Sequence, residues 1–274
     1  MDVEFVKTDV VLNDANNLDI ALSLDCGQAF RWVQSEDGCW QGVANGKYLK
    51  LRQEGTKVTF YNVTQEEFDS VWRVYFDLDR DYGEIIASYT DENLVNACKA
   101  FPGIRILKQD EWEAICSFII SANNNIPRIK GIIERFCECF GDKLDGGYAF
   151  PTAERIAKLT VEDLAPIRAG FRAKYIIDAA QKISSGEVDI EKVKPLPFEE
   201  AKAELLKIKG VGEKVAQCAL LYGFARYEAF PVDVWVKRIL EELYPNGFPK
   251  EYYKTQGIAQ QYLFHWRRSS AFCE

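Results

Sequence analysis

The stretch LLKIKGVGEKVAQCALLYG, Leu205 to Gly223, constrains the fold more than any other part of the chain. An amphipathic helix stops at Gly210-Val211-Gly212 and another starts at once from Glu213. Two helices joined by so tight a turn form a helix–hairpin–helix. Gly210 and Gly212 are expected to permit positive φ and the close approach of another backbone. The turn and the helix behind it offer unpaired N–H groups backed by the positive end of a helix dipole. That arrangement binds phosphate through main chain. An isolated Gly-Val-Gly favours a hairpin that merely packs. Lys207, Lys209 and Lys214 around it turn the reading toward phosphate.

The rest of the chain divides in two. In the first sixty residues KYLKLRQ and KVTFYNV alternate apolar and polar positions, with turns at Asn45-Gly46 and Glu54-Gly55, so a β-meander is expected. From Thr64, with Glu67 three residues on, the pattern becomes helical. Helical segments continue to the C-terminus, one capped by Asp110, one with Pro127 in its first turn and Gly141 at its end. The fold class is therefore α+β: an antiparallel β-rich N-terminal domain, residues 1–100, packed on a larger all-α domain, residues 101–274.

Composition removes several kinds of chemistry. His265 is the only histidine, which argues against His-rich zinc sites and serine triads, and it reads as a structural residue. There is no Walker phosphate loop and no strand-borne G-x-G-x-x-G. The eight cysteines are scattered, which suits buried thiols in a reducing compartment. Catalysis must then use lysine, carboxylate, cysteine or backbone. The net charge of −8 is unevenly spread. Residues 1–100 carry nine Lys/Arg and eighteen Asp/Glu; residues 101–274 carry twenty-five and twenty-four. The hairpin region is locally basic, and local potential decides where a polyanion docks.

Lys214 stands in the first turn of the second hairpin helix, where the dipole disfavours an ammonium. A lysine that loses its proton is a nucleophile able to form a Schiff base. Its plainer role is a solvated lysine or a phosphate contact. Nineteen residues on, Asp233 opens another helix; it reads as an N-cap whose carboxylate could also face Lys214 or stabilise a developing cation on a sugar.

The combination KGVGEKVAQCALL…AFPVDVW resembles the helix–hairpin–helix DNA glycosylase superfamily. GQAFRW (27–32), SANNNIPRI (121–129), AGFRAKY (169–175) and GIAQQYLF (257–264) are similar, in order, to its 8-oxoguanine DNA glycosylase branch. The resemblance implies a bifunctional glycosylase/AP lyase. Lys214 attacks C1′ of the damaged nucleotide and forms a Schiff base, β-elimination nicks the strand, and Asp233 assists. It implies that the Gly27 carbonyl meets the N7–H of 8-oxoguanine, that Gln260 reads the Watson–Crick edge, and that Phe264 and Cys218 sandwich the ring. Asn123, Arg128 and Arg172 match positions that hold the orphaned cytosine, and Phe171 an aromatic wedge. Gly210 and Gly212 match the phosphate turn. Trp235 departs from the histidine that the better-known eukaryotic members carry near a phosphate. Hairpin carbonyls of Leu206, Ile208 and Val211 match a structural cation site. No cofactor is required, and no iron–sulfur cluster is expected because Cys273 stands without a C-terminal cysteine cluster.

The implied partner is duplex DNA with 8-oxoguanine opposite cytosine, bound by a monomer. No signal peptide or membrane span is read in the chain, so a cytoplasmic location is expected, on the nucleoid if the source is a prokaryote, as compactness suggests. Competing readings are a glycosylase for another damaged base, such as an alkylated purine, and a non-catalytic DNA-binding module.

Overall fold

Leu49, Leu51, Val58 and Phe60 are fully buried while their sequence neighbours are partly or wholly exposed, the period-two signature of a sheet with one face on a core. A computed structural model describes residues 1–270. Its strands are β1 (Asp2–Val6), β2 (Asp9–Asn13), β3 (Trp32–Gln34), β4 (Trp40–Ala44), β5 (Lys47–Glu54) and β6 (Lys57–Tyr61). They form an antiparallel sheet in the order β1-β2-β6-β5-β4-β3. The expected meander is β3 to β6. Asn45 (φ +48) and Gly46 (φ +70) both sit in the left-handed region that a tight hairpin turn demands. Beyond the meander, β2 pairs with β6, and β1 with β2. A short helix, α1 (Ile20–Asp25), separates β2 from β3.

The inner face of the sheet packs on Phe68, Trp72, Tyr75 and Phe76, which follow the Thr64 cap. Thr64 accepts from the Glu67 N–H at 3.2 Å. Glu67 itself turns to the Trp72 indole at 2.9 Å, so only half of the expected capping box forms. Residues Phe68–Trp72 wind as a π-helix inside this segment.

The second core is helical. Its main elements are α2 (Glu92–Ala100), α3 (Glu111–Ser121), α4 (Ile126–Phe140), α5 (Ala173–Ser184), α6 (Phe198–Leu206), α7 (Glu213–Tyr222), α8 (Val234–Leu243) and α9 (Gln256–Ser270). Helix α3 is buried from Trp112 to Ile120 and packs on α7. Helix α9 packs on α2 and α8. Cys26 and Phe30, from the turn after α1, belong to this core. The described cysteines are all free, and all but Cys139 are buried. Among the described residues no helix is long and apolar enough to cross a membrane.

Asp77 ties the two cores together. Its buried carboxylate pairs with Arg80 (2.7 Å) and Lys108 (2.8 Å) and accepts from the hydroxyls of Tyr82 (3.1 Å) and Tyr227 (2.8 Å). Burial alone would push this carboxyl up, but Lys108, Arg80 and Tyr227 together hold it below its usual range. A carboxylate so depressed stabilises the fold above its unfolded pKa of about 3.9, and that contribution is lost as pH falls through the folded value. Asp77→Asn should therefore cost about 3–5 kcal/mol near neutral pH, because two cations lose a buried partner. Denaturant melts of both proteins should begin to converge only as pH falls below about 4 and meet once it passes the depressed folded value. Parallel curves across that range would show that the carboxylate charge is not what holds the joint.

Candidate active site

The two hairpin glycines have different tasks. Gly210 has φ +84, and a Cβ there would lie 2.4 Å from Cγ of Tyr175 on α5. Gly212 has an ordinary extended backbone (φ −97, ψ −178) and faces open space. The expectation of positive φ thus holds for Gly210 and not for Gly212. Gly212 is the N-cap of α7 and supplies no side chain to it, so the first N–H groups of that helix are left to another ligand. Asp178 of α5 fixes the turn by accepting from the Lys209 N–H at 2.8 Å. Lys207 pairs with Glu204 (2.6 Å) and Lys209 with Asp178 (3.3 Å). Asp178 also pairs with Lys182 (3.4 Å), so one carboxylate there faces two lysines. The main chain of α7 and Lys214 have no carboxylate partner among the described residues.

Lys214 is the second residue of α7 and is half-buried. Its Nζ lies 3.5 Å from Ser121 Oγ and 5.3 Å from the centroid of Phe118, both on α3. No ion pair holds it among the described residues. One turn along, Cys218 is buried; burial pushes its thiol up, opposed by the nearby Lys214 amine and reinforced by Asp233. Amine, thiol and carboxylate therefore share one neighbourhood. Asp233 caps α8 as expected, Oδ1 accepting from the N–H groups of Trp235 (2.9 Å) and Val236 (2.8 Å). Its other oxygen is free of hydrogen bonds among the described residues. Phe118 carries no motif, and Ser121 only opens SANNNIPRI; their place beside Lys214 could be found only once α3 was packed on α7.

Gly27 sits in the turn after α1 with φ +88. A Cβ built on it would meet Arg268 Nη1 at 3.5 Å, Phe264 Cε1 at 3.7 Å and Ile126 Cδ1 at 3.9 Å, so the expected partners Gly27 and Phe264 do meet. Gln260, one turn before Phe264, is buried, and its Oε1 is a buried acceptor without a partner. An unsatisfied buried amide oxygen costs about 1–3 kcal/mol, which a ligand with a donor would recover. The residues on either side of Gly27 are anchored. Gln261 donates to the Cys26 carbonyl (3.2 Å) and accepts from Tyr222 (2.6 Å). The Gln28 amide bridges to the Arg105 carbonyl (2.7 Å) and the Leu107 N–H (2.9 Å).

On the opposite-base side, Asn123 (φ +50) and Arg128 are exposed, and Phe171 is 55% exposed. Arg172 differs from expectation. It is buried, and its guanidinium donates to the carbonyls of Ala122 (3.0 and 2.5 Å) and Asn123 (2.8 Å). Its planar fork satisfies the turn that carries Asn123, so it supports that turn and is not an exposed donor like Arg128. Burial, then the charge of Arg128, pulls its pKa down, which places the two arginines close together. Trp235 is half-buried, and Arg238 lies over its ring at 5.3 Å. At the hairpin, the Ile208 carbonyl accepts from the Val211 N–H (3.1 Å) and Leu206 is exposed. No group of three or more His, Cys, Asp or Glu among the described residues could hold a metal, and Cys273 lies outside them.

Comparison with known proteins gives the family. Residues 10–115 match the 8-oxoguanine DNA glycosylase N-terminal domain, and residues 116–262 match the HhH-GPD superfamily base excision DNA repair protein family. The N-glycosylase/DNA lyase of Saccharomyces cerevisiae is 32% identical over 87% of this chain and 72% of its own. Among solved structures, the Clostridium acetobutylicum 8-oxoguanine glycosylase/lyase, in complex with double-stranded DNA containing cytosine opposite 8-oxoguanine, superposes with TM-score 0.91. It is 39% identical, with 99% of both chains covered. A complex of MBOgg1 with a low-affinity DNA ligand superposes at 0.92 with 41% identity, over 98% of this chain and 99% of that one. The fold and the hairpin define a helix–hairpin–helix protein of base excision repair. The chain belongs to the HhH-GPD superfamily and carries the N-terminal domain of its 8-oxoguanine glycosylase branch.

The open N-cap gives a test. Gly212→Asp should leave thermal stability unchanged or raise it by a few tenths of a kcal/mol through capping. Its carboxylate should weaken duplex DNA binding by roughly tenfold or more, since it occupies and repels where a phosphate docks. Melting curves and fluorescence anisotropy check both; unchanged affinity would remove the phosphate role from this helix end.

Proposed function

We propose that this chain is a bifunctional DNA glycosylase/AP lyase that removes 8-oxoguanine from duplex DNA, preferring cytosine opposite, and acts as a monomer in the cytoplasm or on the nucleoid. The observation that carries the reading is Lys214: an amine without a carboxylate partner, at the uncapped end of α7, beside Cys218 and Asp233.

The base must leave the stack first, since C1′ and the lesion edge are inaccessible in a duplex. Phosphate on the α7 N-terminus and on the Trp235–Arg238 pair holds the sugar. Extruded, the base meets Gly27 with its N7–H, Phe264 and Cys218 with its faces, and Gln260 with its Watson–Crick edge. That edge of guanine offers N1–H and N2–H donors, which suit the unpartnered Oε1 of Gln260. An adenine ring offers only its N6 amino group as a donor there and places an acceptor at N1, so the guanine-derived lesion, with two donors, is preferred.

The Lys214 amine then adds to C1′ as the bond to N9 breaks, the bonding pair leaving with the base. Asp233, with one oxygen tied to its helix and one free, faces the developing positive charge on the sugar and takes up a proton. Ring opening gives the Schiff base. Loss of a C2′ proton expels the 3′ phosphate, and water releases Lys214. Asn123 and Arg128 face the orphaned cytosine, Phe171 wedges the opposite strand, and Arg172 keeps their turn in place. If a cation binds the hairpin, the carbonyls of Leu206, Ile208 and Val211 are its ligands. With no carboxylate among them they suit a weakly charged ion.

Borohydride should trap a covalent complex between the protein and duplex DNA holding 8-oxoguanine opposite cytosine, while Lys214→Gln binds but does not trap. An unmodified protein that binds without trapping would leave a non-catalytic DNA-binding module as the better reading. In the same assay Arg128→Ala should flatten the preference for cytosine while keeping the melting temperature. A cytosine preference that survives this change would take Arg128 out of the opposite-base contact.

A further inference from the structure

Gln260, Phe264 and Arg268 recur every four residues along α9 and share one of its faces. The first two have roles above; Arg268 has none. Its Nη1 stands 3.5 Å from the point a Gly27 Cβ would occupy, and its Cζ lies 5.2 Å from the Phe264 centroid. Arg80 lies 3.9 Å from the centroid of Tyr227, and Arg105 4.4 Å from that of Tyr82. Arg268 thus stands further from its ring than those two, over Phe264 and beside Gly27. The adjacent Arg267 pairs with Glu242 at 2.6 Å, whereas Arg268 forms no ion pair among the described residues. Its guanidinium donors remain for a ligand that enters the pocket.

We infer that Arg268 reads the C8 oxygen of the extruded base, an inference that rests on the function proposed above. In 8-oxoguanine N7 carries a hydrogen and C8 an oxygen; in guanine N7 is an acceptor and C8 carries a hydrogen. N7 and the C8 oxygen are separated by one ring atom. A base whose N7–H points at the Gly27 carbonyl thus presents its C8 oxygen beside Gly27, where the Arg268 donors are. The stripe also has the right length. Successive members are about 6 Å apart along the axis, so Gln260 and Arg268 bracket a purine lying on Phe264, one at each end. Guanine inverts both contacts, setting a lone pair against the carbonyl and a C–H against a guanidinium. Lesions that keep N–H at position 7 and C=O at position 8, the ring-opened formamide of guanine included, satisfy both.

The test compares two single-turnover rates of the full chain opposite cytosine: excision of 8-oxoguanine, and nicking of a preformed abasic site, which has no C8 oxygen. Arg268→Met keeps the aliphatic packing and removes the donors; it should lower the ratio of excision to nicking by roughly tenfold or more, the loss of one charge-assisted hydrogen bond. Arg268→Lys keeps a cationic donor and should retain more of the ratio than Met does. An unchanged or raised ratio in Arg268→Met, or equal losses in the two variants, overturns the inference. So does a parallel fall of both rates, which would make Arg268 a phosphate contact. If the unmodified protein does not excise 8-oxoguanine at all, the proposed function fails first, which separates the two failures.

Discussion

A single main-chain carbonyl can select a base only if the turn that carries it cannot yield. The turn at Gly27 is held from three directions. Gln28 reaches across to residues 105 and 107, Gln109 donates to the Gln28 carbonyl at 2.7 Å, and Gln261 of α9 holds the carbonyl of Cys26. Each anchor is a neutral amide buried with its partners, where misalignment would leave polar groups unpaired. The Gly27 carbonyl itself accepts no hydrogen bond among the described residues. Rigidity is thus invested in the neighbours, and the carbonyl proposed to recognise the base is left free.

The same anchors reach the proposed nucleophile. Gln261 accepts from Tyr222, at the C-terminal end of α7, and Tyr222 stacks on Phe118 with centroids 5.2 Å apart. Phe118 in turn lies under the Lys214 amine. The Gly27 turn, α9 and α7 are joined by short contacts through the core of the molecule. This resolves how an acidic chain can serve a polyanion. Lys207 and Lys209 pair with Glu204 and Asp178, and the proposed anion site adds to them an uncapped helix end that needs no basic side chain.

What could be read from sequence was what depends on neighbours along the chain. Caps at Thr64, Asp110 and Asp233, the Asn45-Gly46 turn and the hairpin itself are set by residues within a few positions. Arg172 was illegible for the opposite reason. Its burial depends on two carbonyls fifty residues away, presented because Asn123 turns the chain at positive φ. The unequal roles of Gly210 and Gly212 depend on Tyr175. Arg268 matters only because α9 lies against the turn at Gly27, which periodicity cannot reveal. The added β1–β2 pair is similar: β2 alternates weakly and finds its place through β6.

The missing histidine bears on how such a site can respond to pH. The lone His265 lies edge-on against Phe101 at 4.5 Å, and burial, then the charge of Arg268, pushes its pKa down. It is neutral at neutral pH and forms part of the packing. Trp235, at the position where the resemblance implies a histidine, offers an indole with Arg238 above it. An arginine keeps its charge throughout the physiological range, and an indole has none to lose. A phosphate docked on that pair would meet a cation that keeps its charge between pH 5 and 8. Under the proposed function, then, this pair gives the protein no pH-dependent grip on phosphate in that window.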